Sequence, residues 1–178
     1  MRRATVSALV AIALVGVLAG TAGRIRAEDA TPPGQAHPHV VGLTLTDLGS
    51  GLPAGAPGQA LHLMRVVQEP GGHIDPHRHP GGQVFYVDRG TVGFSVYSGQ
   101  ARLLRATDPP GAEGELVPEG TEVILTPGDW LYYGQDVVES ARNAGDDQAE
   151  ILIAALYYTG FPMTIFAEGV PPIATPAA

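Results

Sequence analysis

Between Gly71 and Gly90 the chain places His77 and His79 one residue apart, then turns at Pro80-Gly81-Gly82 into the apolar run Val84-Phe85-Tyr86-Val87. On an extended backbone side chains alternate faces with period two, so the two imidazoles point the same way. Neutral imidazoles side by side suit a divalent transition metal. This segment therefore demands a strand that carries metal-type donors on one face, and a fold able to bury that face.

The spacing also carries a family pattern. A glycine, five residues, His-x-His, three residues, an acid or amide, six residues and a second glycine are met by Gly71, His77, His79, Gln83 and Gly90. The segment resembles the first motif of the cupins, with Gln83 standing where metal-binding cupins carry glutamate. That resemblance implies an all-β, antiparallel, double-stranded β-helix (a jelly-roll or cupin barrel) over residues 60–158, a bound metal and a small-molecule ligand. It also implies a homodimer, on which the residues themselves are silent.

The rest of the region reads as short strands between turns, with no convincing amphipathic helix. Leu61–Glu69 alternates and is expected to end at Pro70-Gly71-Gly72. Gln83–Asp88, Thr91–Tyr97, Ala101–Arg105, Thr121–Leu125, Trp130–Tyr133, Glu139–Asn143 and Glu150–Tyr158 follow. About eight to ten such strands make a sandwich or barrel.

Cupins have a second, looser motif that supplies one more histidine. The similar stretch here runs from Gly120 through Gly128-Asp129 to Asn143, and the histidine position falls on Glu139. No histidine follows His79, so the second motif cannot complete a three-histidine site. The resemblance then implies His77, His79 and Glu139 as a two-histidine, one-carboxylate set of the kind that leaves open positions on non-haem iron. Gln83 is either a fourth, neutral ligand or a group behind the ligands that orients one of them. The competing reading leaves Glu139 a solvated charge at the barrel mouth and the barrel without metal. Iron, manganese, zinc, nickel and copper all remain open.

Other histidines weigh less. His73 and Asp75 share parity with His77, but Pro76 interrupts the run and places them in an approach loop. His62 shares parity with Met64 and Val66 and reads as a barrel-interior side chain. His37-Pro38-His39 lies in a Pro-rich segment with no scaffold to fix it. Trp130, Tyr132, Tyr133, Phe85, Phe94 and Tyr97 read as strand residues that pack the core.

The ends have a different composition. Met1-Arg2-Arg3 precedes an uncharged stretch, Ala4 to Gly23, which reads as a secretory signal over residues 1–27 with cleavage after Ala22 or Ala27. An uncleaved membrane anchor is the alternative, since about 20 apolar residues span a bilayer. Residues 28–59 are Pro/Gly-rich, with one edge strand expected over Val40–Leu45, and residues 159–178 form a tail. The chain has no cysteine, so neither a disulfide nor a lipidated cysteine is available. Residues 28–178 hold six arginines, no lysine and all eighteen acids, a formal charge of −12. That balance argues against nucleic acid and anionic membranes as partners.

Three functions remain: an exported metal-dependent oxidoreductase, dioxygenase-like, acting on a small organic molecule; a non-catalytic module that holds a metal or small ligand; and a structural jelly roll.

Overall fold

The computed structural model describes residues 39–171 and 173, which hold eleven strands and, among the described residues, no helix. The expected signal segment and His37 lie outside them. The strands are β1 (Val40–Gly51), β2 (Gln59–Arg78), β3 (Gly81–Arg89), β4 (Val92–Ser98), β5 (Ala101–Leu104) and β6 (Glu115–Leu116). They continue with β7 (Thr121–Leu125), β8 (Trp130–Tyr133), β9 (Val138–Asn143), β10 (Ala149–Tyr158) and β11 (Ile165–Phe166).

Their pairing is nested. The chain goes out through the two halves of β2, then β3 and β4, and returns through β7, β8, β9 and β10. Each returning strand lies antiparallel to its outgoing counterpart: β7 on β4, β8 on β3, β9 on the second half of β2, β10 on the first half. Lateral pairs β3–β10 and β4–β9 gather these into two sheets, β2–β10–β3–β8 and β2–β9–β4–β7. One long hairpin wound in this way is a double-stranded β-helix, the cupin-type jelly roll. β5 and β6 widen the first sheet beyond β8, and β1 and β11 lie along β2.

Alternation puts the core between the sheets. Met64 and Val66 of β2, Phe85 and Val87 of β3, Phe94 and Val96 of β4, Leu131 of β8, and Ile151 and Ile153 of β10 form one buried cluster. At about 25 cal/mol per Å² of apolar surface removed from water, this cluster supplies the main driving force for a domain without disulfides.

The structure departs from the expected turn at Pro70-Gly71-Gly72. β2 runs straight through it, bending from the first sheet into the second. Gly71 takes φ +77°, and a Cβ on Gly72 would lie 2.8 Å from the carbonyl oxygens of Glu69 and Gly42. These two glycines permit the bend and the close approach of β1, whose register shifts opposite it, between Val41 and Leu43. Paired strands also extend beyond 60–158. β1 is twelve residues long where six were expected, and β11 lies in the segment read as tail.

The turn before β8 is fastened by Asp129. Its carboxylate accepts from the backbone N–H of Ala106 (2.9 Å) and Thr126 (2.9 Å), the Thr126 hydroxyl (3.1 Å) and Arg105 Nη1 (3.1 Å). These donors outweigh burial, which alone would raise it, and hold its pKa below the ordinary carboxylate value.

Candidate metal centre

One end of the barrel interior is polar. His77 and Glu139 are direct cross-strand partners on β2 and β9, and His79 follows just past the end of β2. A second register shift, between Ile74 and His77, brings His77 inside. His73 pairs with Arg142, whose parity is opposite to that of Glu139, so the bulge reverses the alternation within four residues. His73 and Asp75 therefore lie on the outer face, although simple parity aligned them with His77.

The three side chains converge. His77 Nε2 lies 3.1 Å from His79 Nε2 and 3.1 Å from Glu139 Oε1, and His79 Nε2 lies 3.4 Å from the same oxygen. His77 and Glu139 are almost completely buried, whereas the His79 side chain keeps 11% of its exposure.

Both imidazoles are oriented from behind. His77 Nδ1 donates to the Asp75 carbonyl (2.7 Å), and His79 Nδ1 donates to the Met163 carbonyl (2.6 Å). A carbonyl only accepts, so each Nδ1 carries the proton and each neutral ring offers its Nε2 lone pair to the centre. Three lone pairs thus meet at one point, which requires positive charge among them. A proton on one Nε2 supplies it, and so does a metal ion. Glu139 Oε2 is buried with no hydrogen-bond partner, so the site is one donor short.

The spacing fits an ion as well. Donors about 2.1 Å from a common ion lie about 3.0 Å apart at right angles and about 3.4 Å apart at the tetrahedral angle. The three observed separations fall in that range. Among the described residues, His77, His79 and Glu139 form the one group of three or more such donors able to share an ion.

Electrostatics agree with this geometry. Burial alone would push Glu139 up, but the charge of His77 and hydrogen bonds from both histidines hold it at about 2. Burial opposes charge on His77, yet Glu139 outweighs it and the imidazole pKa is raised. The carboxylate is ionised, and the metal-free pair keeps a proton that an incoming cation must displace.

Gln83 sits behind Glu139, outside the donor cluster. Its amide nitrogen donates to the Tyr133 hydroxyl and its oxygen accepts from the Tyr157 hydroxyl. Tyr133 in turn donates to Glu139 Oε1 at 3.2 Å. Both polar atoms of Gln83 are thus engaged by tyrosine hydroxyls, away from the point where the three donors meet. Burial, then the charge of Glu139, pushes both phenols up, so they stay protonated donors. The Tyr157 ring also stacks on His79, with centroids 5.4 Å apart and planes within 5°.

The remaining candidates lie elsewhere. The His62 ring is 5.9 Å from that of Tyr157 and outside the donor cluster. His39 does have a scaffold: its Nδ1 is 3.1 Å from Asp75 Oδ2, and its ring stacks on Phe166 at 4.4 Å. Sequence reasoning missed Tyr133 and Tyr157 as site residues, because aromatic strand residues read as core. Nothing in the sequence marks the Met163 carbonyl.

No protein-family model and no curated protein matches the sequence. Among solved structures, the chain is similar to a cupin 2 domain-containing protein from Halorhodospira halophila (18% identity, 72% of each chain, TM-score 0.48). It is similar to an oxalate oxidase crystallised with glycolate (17% identity, 74% of this chain and 57% of that one, TM-score 0.47). A DMSP lyase from Ruegeria pomeroyi matches at 16% identity over 72% of this chain and 54% of that one (TM-score 0.47). The chain thus spans little more than half the length of these two enzymes.

Proposed function

We propose that this cupin-type barrel holds one divalent transition metal through His77, His79 and Glu139 and acts as a metal-dependent oxidoreductase on a small organic molecule. The observation that carries the reading is the meeting of three oriented lone pairs at one buried point. When bound, such an ion polarises a substrate oxygen and, if redox-active, exchanges electrons with it. The chain does the rest. The Asp75 and Met163 carbonyls lock both rings in the ligating tautomer, and Glu139 offsets part of the ion's charge. Phe85, Phe94 and Leu131 belong to the buried apolar core between the sheets. His79, the most exposed of the three, lines an open surface pocket of about 140 Å³ with Arg78, Tyr158, Phe161 and Ile165.

A second reading has an observation of its own. Gln83, Tyr133 and Tyr157 spend their polar atoms on one another and on Glu139. These hydroxyl and amide groups behind the ligands are thus already engaged, which favours a non-catalytic metal- or ligand-holding module.

Elemental analysis of protein purified from its own compartment tests the metal site: about one equivalent of transition metal is expected, and none would overturn the oxidoreductase and leave at most a module for a small ligand. Dioxygen uptake by the metal-loaded protein with a panel of small oxygenated molecules then separates them, since binding without turnover favours the module. We also propose export, which the signal-like composition of residues 1–27 supports, with a mature N-terminus between Gly23 and Glu28; N-terminal sequencing tests it, and intact Met1 in membranes would mean an anchor. The homodimer implied by the resemblance is tested by sedimentation.

A further inference from the structure

We propose that Gln83 is a positioning residue: as an amide it sets the direction of the hydrogen-bond chain Tyr157–Gln83–Tyr133–Glu139 and so holds the Glu139 carboxylate facing the two histidines. The direction follows from the inventory of protons. An ionised carboxylate only accepts, so Tyr133 must give its single hydroxyl proton to Glu139 Oε1. Its oxygen must then accept from Gln83, which turns the NH₂ of the amide toward Tyr133. The amide oxygen is left facing Tyr157, whose hydroxyl donates to it. Only a side chain with a donor at one end and an acceptor at the other can pass the direction on.

The chain also joins the two sheets. Gln83 and Tyr133 are cross-strand partners on β3 and β8, whereas Glu139 belongs to β9. A carboxylate at position 83 would accept from both tyrosines, take the Tyr133 proton, and leave Glu139 without its support. The amide at 83 and the acid at 139 are therefore one coupled choice, which accounts for both departures from the cupin pattern together.

This inference uses the metal reading for one of its two tests. In the full chain, titrated with Co²⁺, Tyr133→Phe and Gln83→Glu should each weaken binding by about 10–100-fold, the usual effect of removing a group behind a ligand. Their double variant should lose no more than the worse single one, because both break the same chain. The Co²⁺ d–d spectrum should shift in both. Tyr157→Phe removes the donor to the amide oxygen but keeps the ring on His79 and the Tyr133–Glu139 bond, so it should weaken binding less than either of the other two. Additive losses, or single variants that bind like the parent, overturn the proposal.

The second test needs no metal. In the metal-free parent, the Tyr133 hydroxyl proton should show a nuclear Overhauser contact to the Glu139 side chain, and Gln83→Glu should abolish it. If the parent takes no Co²⁺, the metal reading fails while this measurement still decides the chain. A Tyr133 proton without that contact refutes the relay whatever the metal does.

Discussion

Asp129 and Glu139 are equally buried, at 3% and 2% exposure, yet their surroundings are built differently. Asp129 receives four hydrogen bonds from two backbone N–H groups, a hydroxyl and a guanidinium, distributed over both of its oxygens. Glu139 concentrates its contacts on Oε1, and its Oε2 has no partner. The donors around Asp129 keep their protons at any physiological pH, whereas those around Glu139 include two imidazoles that can exchange protons for a metal. A buried carboxylate with both oxygens held by fixed donors fastens a turn. One left incomplete among exchangeable partners marks a place for a ligand.

The largest expected effect separates the two regions outright. Replacing His77 and His79 together by alanine should abolish metal binding, and with it the rise in melting temperature that metal confers on the parent, because binding free energy adds to folding free energy. Calorimetric titration and thermal melts with and without metal check this. A double variant that still binds one equivalent would remove the site from this end of the barrel. Asp129→Asn is the counterpart at the turn. It sets an NH₂ against fixed donors and should cost roughly 2–3 kcal/mol of stability while metal affinity stays within about twofold. Denaturant unfolding reads the first quantity and titration the second; a large drop in metal affinity would mean that the two regions are coupled.

The same contrast shows what could be read from the sequence. Period two was enough to put His77 and His79 on one face, and turn residues with alternation marked the short strands of a sandwich or barrel, whereas the jelly-roll order came from the cupin resemblance. The two shifts in β2 were not legible. Pro70-Gly71-Gly72 has the composition of a turn and becomes a bend with β1 paired on both sides of it. The bulge before His77 comes from long-range pairing with β9, and it turns His73 and Asp75 outward against their parity. His79 depends on the carbonyl of Met163, 84 residues away, and a backbone carbonyl carries no residue-type signal. Tyr133 and Tyr157 are buried as strand aromatics should be, so their hydroxyl chemistry was hidden behind their packing.

A smaller effect sharpens the contrast at Glu139 itself. Glu139→Gln keeps the shape and removes the charge, so metal affinity should fall by about 10–100-fold while the barrel remains folded. At pH 8 the metal-free melting temperature should drop less than in Asp129→Asn, because His77 can shed its proton once its counter-charge is gone. If the variant binds metal as tightly as the parent, Glu139 is a bystander to the two histidines.

The smallest effect is a slope: both carboxylates lose their contribution as pH falls, and at the Glu139 site His77 adds a decline as pH rises. Glu139 is held at about 2, below its ordinary 4.5, so its contribution is present above about 4.5 and is lost as pH falls through about 2. His77 is raised above its ordinary 6.5, so its contribution is full below 6.5 and is lost as pH rises through the raised value. The metal-free pair therefore stabilises the barrel most between about 4.5 and 6.5. Asp129 is also depressed, but its partners do not titrate in this range, so its contribution persists as pH rises. Melting curves of metal-free protein from pH 4 to 9 should show a decline on the alkaline side that Glu139→Gln removes and Asp129→Asn keeps. Metal should reverse the slope: a cation displaces the His77 proton, so the melting temperature it confers should grow as pH rises through the same interval. If the metal-free decline survives in Glu139→Gln, the alkaline loss does not come from the His77–Glu139 pair, and the proton assigned to it must lie elsewhere.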